Sequence, residues 1–431
     1  MSARSLLRDR DFRLLAGSIG ISALGDWLAG IVLILQIQSM TQSGIMVSVL
    51  LICLWSPVVL LAGHVGVLVD RVETTRLLAV VSLAQAAVAS ALAFADSVGL
   101  ILVLAALLGI GFAISQAAEF ALVPAVAGSE RVQEANGHIE TARYAGFTIG
   151  PLCGGLLAAA GGTSVGMLVN AATFLLVAAA ALSLRARRPA FASTDGAQVA
   201  RVRDGLLQLF AEPTLALAMV VAFVSLLFMS ASIPADVFFV KSVLHAGDVG
   251  YSAIFTVWTI GMILGALRLS RRVAGSALVT VAFVAVAVQG IGKTLPPFWL
   301  VFAFMLPCYF VGGVGHGVKN VLFRTAIHVR VPKRLHGRAF AAFNGLRNGA
   351  ELGALAVGGV LVEVLGSRAT LVLAGGVSAL AGLVGIAVLA SRRFHPAVAG
   401  DRDGGRPPEP AESARQAEVD LGQLLAPDQS Q

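Results

Sequence analysis

Asp26 stands inside an unbroken apolar stretch, and Ser18, Ser22, Gly25, Ala29 and Gln36 recur near helical spacing beside it. An ionisable group in such a stretch is costly unless it meets a partner or water, so each one is a candidate for function. A carboxylate there can carry a proton or meet a cation. The alternative is a structural hydrogen bond to a neighbouring helix. Glu119 follows Gly111 and Ser115 at steps of four, which puts the three on one helix face. Arg143 can pair with Glu140 three residues earlier, and Arg347 with Glu351 four later. Such pairs cancel charge, which favours a structural role over a direct one. Lys319 and Arg324 have long stems that can snorkel to a membrane surface. Asp236 follows Ser225 and Ser232 near the outer end of its stretch. His64 and His316 read as hydrogen-bonded packing residues. Cys53, Cys153 and Cys308 form no paired pattern and read as small buried apolar residues. No zinc spacing, nucleophile elbow or phosphate-binding loop occurs. The sequence therefore offers no catalytic residue, no metal site and no cofactor.

These residues need elements to position them, and the composition says which. The chain has 431 residues, 57% hydrophobic and 13% charged, with a mean hydropathy of +0.85. Soluble globular chains carry about 25% charged residues. A spanning helix needs roughly 20 apolar residues to cross a hydrocarbon core, and most of this chain consists of such runs. The formal charge of +7 does not mark a nucleic-acid binder. Its basic residues cluster at the ends of apolar runs rather than in a stripe with aromatics. Arg4, Arg8, Arg10 and Arg13 precede a run too long for a signal peptide, which reads as a retained first helix.

Twelve spans are predicted. They begin near Phe12, Ile45, Thr75, Gly99, His138 and Thr163, then near Pro213, Val249, Ala274, Pro297, Arg338 and Ser367. Helices are preferred to barrel strands because each run is long and continuous. Lys and Arg concentrate in the termini and the even-numbered loops, with Lys241, Lys293 and Arg368 assigned to the opposite side. That bias puts both termini in the cytoplasm of a multi-pass protein of the plasma (inner) membrane. The expected organisation is a six-helix bundle over 12–184 and a cytoplasmic linker over 185–212. A second bundle follows over 213–391, then a disordered tail over 392–431. Val199, Val202, Leu206 and Leu209 recur at helical spacing within the linker and predict a helix lying on the membrane surface.

The two halves echo each other. ARYAGFTIGPLCGGLL lines up with LRNGAELGALAVGGVL, which pairs Arg143 with Arg347, Gly154 with Gly358 and Gly155 with Gly359. GVLVDR at Gly66 has a weaker echo in GALRLSRR at Gly265. The fold class expected is an all-α membrane protein of twelve transmembrane helices in two pseudo-symmetric six-helix halves. Parallel repeats of this kind are a transporter pattern.

The loop GVLVDRVETTRLL makes the pattern specific. Gly66, Leu68, Asp70, Arg71 and Arg76 resemble the loop signature of the major facilitator superfamily, while Glu73, Thr74 and Thr75 replace its later glycine and first following base. The resemblance implies a latch that joins the halves on the cytoplasmic side. Asp70 would meet a helix N-terminus or a basic partner, and Arg71 a carboxylate. Gly146, Gly150, Pro151, Gly154 and Gly155 resemble the family's antiporter motif, with the earlier glycine displaced. These small residues also permit close helix packing, and Pro151 a bend. Together with GISALGDWL at Gly20, these stretches resemble the branch of macrolide and siderophore exporters.

The resemblance implies a secondary exporter of a small amphipathic molecule, exchanged for protons because no ATP site is present. The halves would rock around a cavity lined by spans 1, 4, 7 and 10, with Trp27, Phe112, Phe228, Met229 and Phe323 as apolar contacts. Its partners would be the substrate, protons and the lipid bilayer, with no nucleic acid, and it would act as a monomer. An importer, or a sensor or accessory protein of the same fold that does not transport, are the other readings.

Overall fold

The computed structural model describes residues 6–189, 207, 209–273, 275, 277–332 and 335–391. The predicted surface helix falls largely outside these residues, and the predicted tail over 392–431 does so entirely. Everything described belongs to one compact unit.

The first half contains span 1 (Arg10–Thr41), span 2 (Gly44–Leu60 and Ala62–Arg71, bent by 58°), span 3 (Thr74–Leu92) and span 4 (Val98–Ala127). Spans 5 and 6 are the two arms of Val132–Ser183, which part at Gly162. The second half contains span 7 (Pro213–Val243), span 8 (Gly247–Arg272), span 9 (Ala277–Phe298) and span 10 (Phe302–Arg330). Spans 11 and 12 are the arms of His336–Ala390, which part at Gly366. Gly162 and Gly366 have φ of 70° and 78°. Both turns need a left-handed backbone, which glycine adopts without steric cost. Ten predicted starts fall within four residues of the observed ones. Spans 5 and 10 differ more, since the helix of span 5 runs back to Val132 and span 10 starts only at Phe302.

Short polar residues at the apolar boundaries start these helices by filling the free N–H groups of the first turn. Asp9 accepts from the Asp11 and Phe12 amides, and Ser97 from the Leu100 amide. Glu212 accepts from the Thr214 and Leu215 amides, with Pro213 following as first helical residue.

The packing divides by depth. The near face is the one from which span 1 starts and at which span 12 ends. There each half has its own apolar core, one around Phe12, Leu78 and Leu122 and another around Met219, Phe283 and Leu322. Towards the far face a single core joins both halves through Leu33, Val47, Phe239, Tyr251 and Leu355. The halves are thus packed together at the far face and built separately at the near face.

Paired glycines explain the far closure. A Cβ on Gly146, Gly150 or Gly154 would sit 2.6–2.7 Å from the backbone of Gly20, Leu24 or Leu28, so span 5 lies directly on span 1. Gly155 instead faces Ser252 and the Asp248 carbonyl of span 8, across the halves. The second half repeats this arrangement. Gly358 lies against the Ala231 carbonyl in span 7, and Gly359 against Gly44 and Ser48 of span 2. Within each pair, one glycine builds its own half and the next closes the molecule. Glu363 of span 11 completes the closure by accepting from the Ile45 amide at 3.3 Å and from the Ser43 hydroxyl. The weaker echo is not matched in packing. Gly265 lies against the Val314 carbonyl, whereas a Cβ on Gly66 would meet open space.

Candidate functional site

Three candidates from the first half converge. Arg143 of span 5 forms an ion pair at 3.5 Å with Glu119 of span 4, and a second at 3.4 Å with Glu140. Its guanidinium also lies 4.9 Å from the centre of the Phe120 ring. Glu119 is only 5% exposed, so Arg143 balances a carboxylate held away from solvent. Asp26 accepts a hydrogen bond from Ser22 at 3.3 Å and lies in the field of Arg143, as does Glu119. Local spacing pointed to the Glu140 pair alone. Glu119 joins it because spans 4 and 5 pack side by side.

The small polar face of span 1 does not line a cavity. Gly25 packs on Asn170 and Thr173 of span 6, while Ser18, Ser22 and Ala29 are buried. This face is a helix-packing surface, and Asp26 is half-buried just beyond it. Trp27 packs edge-on against Phe147 at 4.2 Å.

In the second half, Arg347 and Glu351 are 3.9 Å apart. Lys319 does not snorkel outward. It is 4% exposed, and its ammonium donates to Asn320 at 3.3 Å. Lys319, Arg324 and Arg347 line one cleft between spans 7, 10 and 11. His316 accepts or donates at 3.0 Å with Gln289, as a packing histidine should. His64 is exposed instead.

A cluster that local spacing missed lies deeper towards the far face. Lys293, assigned to a loop by its place at the end of an apolar run, is buried and pairs with Asp236 at 2.8 Å. Tyr309 donates to the other Asp236 oxygen at 2.5 Å. The cluster links spans 7, 9 and 10. Its sequence signals are the spacing of Asp236 after Ser225 and Ser232 and the place of Lys293 at the end of an apolar run instead of beyond it.

The loop between spans 2 and 3 closes on its own half. Asp70 accepts from Arg188 at 2.8 Å, and Arg188 also donates to the Val69 carbonyl at 3.2 Å. Glu73 caps span 3 and pairs with Arg76 at 3.3 Å and Arg187 at 3.6 Å. Burial pushes the Glu73 carboxyl up, but hydrogen bonds from Thr75 and the Arg187 charge outweigh it and hold it below its usual range. Asp70 therefore has the basic partner expected of it, but that partner follows span 6. Arg71 is exposed and, among the described residues, pairs with no carboxylate.

Among the described residues, twelve spans in two repeated halves, closed at one face and carrying ionisable groups between helices, define a membrane transporter of the parallel-repeat class. A family model described as Major Facilitator Superfamily matches residues 15–355, and the chain belongs to that family. No curated protein is a significant match to the sequence. Among solved structures, the fold is similar to the nucleoside transporter NupG, with 15% identity over 88% of this chain and 99% of that one and a TM-score of 0.64. It is similar to a bacterial homologue of the human lysosomal transporter Spinster in its inward-facing, unoccupied conformation, with 13% identity, 90% and 98% coverage and a TM-score of 0.65. The peptide transporter POT in complex with sulfate gives 13% identity, 88% and 94% coverage and a TM-score of 0.65. At these identities the likeness is one of fold.

Proposed function

We propose that the protein is a secondary active transporter that exports a small amphipathic molecule, drug-, macrolide- or siderophore-like, in exchange for protons. The observation that carries this reading is the Asp26, Glu119 and Arg143 group, in which Glu119 is ion-paired with Arg143 and Asp26 stands in the field of the same cation. A proton reaching Glu119 releases Arg143 from its ion pair and changes the field at Asp26, so proton binding and a helix-to-helix contact are linked. The near face is taken as cytoplasmic because Lys and Arg concentrate in its loops, and both termini are taken to lie on the cytoplasmic side of the plasma membrane. The proposed divisions are the bundles over 12–184 and 213–391 with the linker 185–212 between them. The Asp70 loop serves as a latch whose partner changes between states.

A vesicle experiment tests the reading. The purified protein is reconstituted with an imposed pH gradient and a panel of amphipathic substrates. Saturable movement that an uncoupler collapses is expected. Movement only in the inward sense would make the protein an importer. The absence of saturable flux for every compound would favour a sensor or accessory protein.

Alternation requires that the glycine contacts at the far face separate. Gly359→Val places its side chain against Gly44 and Ile45 backbone atoms, which cannot move without span 2. Overpacking costs about 1–3 kcal/mol, which shifts the closed-to-open ratio by roughly five- to more than a hundredfold. In a background without native cysteines, a cysteine at Ser252, buried in the far closure, should react faster with an impermeant reagent. An unchanged rate would count against this role for the glycine pairs.

A further inference from the structure

The cleft between spans 7, 10 and 11 carries a charge the fold does not explain. Lys319, Arg324 and Arg347 all line it, and Glu351 is the one carboxylate paired with any of them among the described residues. Three basic side chains stand against one acid. Lys319 is the most demanding of them. An ammonium group has three donors, and this one, 4% exposed in a membrane-spanning helix, has Asn320 as its one partner among the described residues. A buried charge so weakly compensated is costly. Of the three, Arg347 alone has a basic counterpart in the first half. The register that pairs Arg143 with Arg347 and Gly162 with Gly366 places Ser115 opposite Lys319 and Phe120 opposite Arg324. Ser115 is simply hydrogen-bonded to Gln85 at 3.2 Å. The cations share the cleft with Phe223, Phe323 and Phe343, and the Phe223 and Phe343 rings lie 6.0 Å apart.

We propose that this cleft, with a free volume of about 40 Å³, binds the anionic end of an amphipathic organic acid, with Lys319 and Arg347 holding the carboxylate and half-buried Phe223 beside the ring body. This rests on the transporter reading and narrows its substrate class: acids of the first half handle protons, and cations of the second half handle an anion. Filling the unused ammonium donors with a carboxylate is the contact that makes burial of Lys319 favourable.

The test uses the purified full-length protein in lipid nanodiscs and three probes with one ring system: 2-naphthoate, 2-naphthamide and 2-naphthylmethylammonium. Equilibrium binding of the naphthoate should be about tenfold or more tighter than that of the amide, with the ammonium weakest. Lys319→Gln should remove most of that preference, while Lys319→Arg should retain it. Arg324→Gln, at an exposed position, should weaken naphthoate binding several-fold and serves if Lys319→Gln does not fold. Equal binding of anion and amide, no binding of naphthoate, or a folded Lys319→Gln protein with wild-type preference would overturn the proposal. Flux is read separately in vesicles. Naphthoate binding without flux for any compound would overturn transport and leave the site standing. Flux of a neutral or cationic compound with no naphthoate preference would do the reverse.

Discussion

Asp26→Asn should reduce uphill, pH-gradient-driven export to the level of protein-free vesicles while substrate binding stays measurable. The amide keeps the size and hydrogen-bonding capacity of the carboxylate, so Ser22 still has a partner at this position. It cannot gain or lose a proton, so the exchange between Asp26, Glu119 and Arg143 is broken at one member. Downhill exchange of labelled for unlabelled substrate needs no net proton movement and should persist. The persistence separates a coupling defect from a folding defect, which would lower protein abundance and both activities together. Uphill export at the wild-type rate with an unchanged pH profile would make Asp26 structural, and Glu119→Gln would then be the next variant to measure.

Lys293→Met should destabilise the protein by about 3–5 kcal/mol, because removing one partner of a buried ion pair leaves the other charge uncompensated. Asp236 is 3% exposed, so water cannot replace the lost ammonium. Tyr309 still donates to one oxygen but brings no positive charge. Thermal unfolding in detergent, followed by intrinsic fluorescence, would show the loss as a lowered midpoint. The double change Lys293→Met with Asp236→Leu should recover most of it, since replacing a buried pair by packed apolar groups is often neutral or stabilising. A single variant as stable as wild type would mean that water reaches Asp236 when Lys293 is gone. A double variant as weak as the single one would assign the cost to packing instead.

The sequence by itself determined the elements and their repetition. Apolar length decides which segments can lie in lipid, and a cap such as Asp9, Ser97 or Glu212 decides where a helix begins. Both effects are local. The pairing of Gly154 with Gly358 and Gly155 with Gly359 was legible too, because repeats that fold alike need small residues at like positions. What each glycine touches was not legible. Gly154 and Gly155 are neighbours in the chain, yet they point at different halves.

Partners of the charged groups were decided by the tertiary structure alone. Glu140 and Arg143 are three apart on one helix, so their pairing could be read directly, whereas Glu119 reaches Arg143 only because two spans pack together. Lys293 and Asp236 are separated by 57 residues, and their contact depends on spans 7 and 9 meeting near the far face. Lys319 has a stem long enough to reach the surface, but the helices around it enclose its ammonium. The polar face of span 1 has the spacing of a cavity lining, and span 6 covers it. Hydropathy and caps act within a few residues. The direction in which a buried charge finds its partner depends on how helices distant in sequence pack, and no local pattern carries that information.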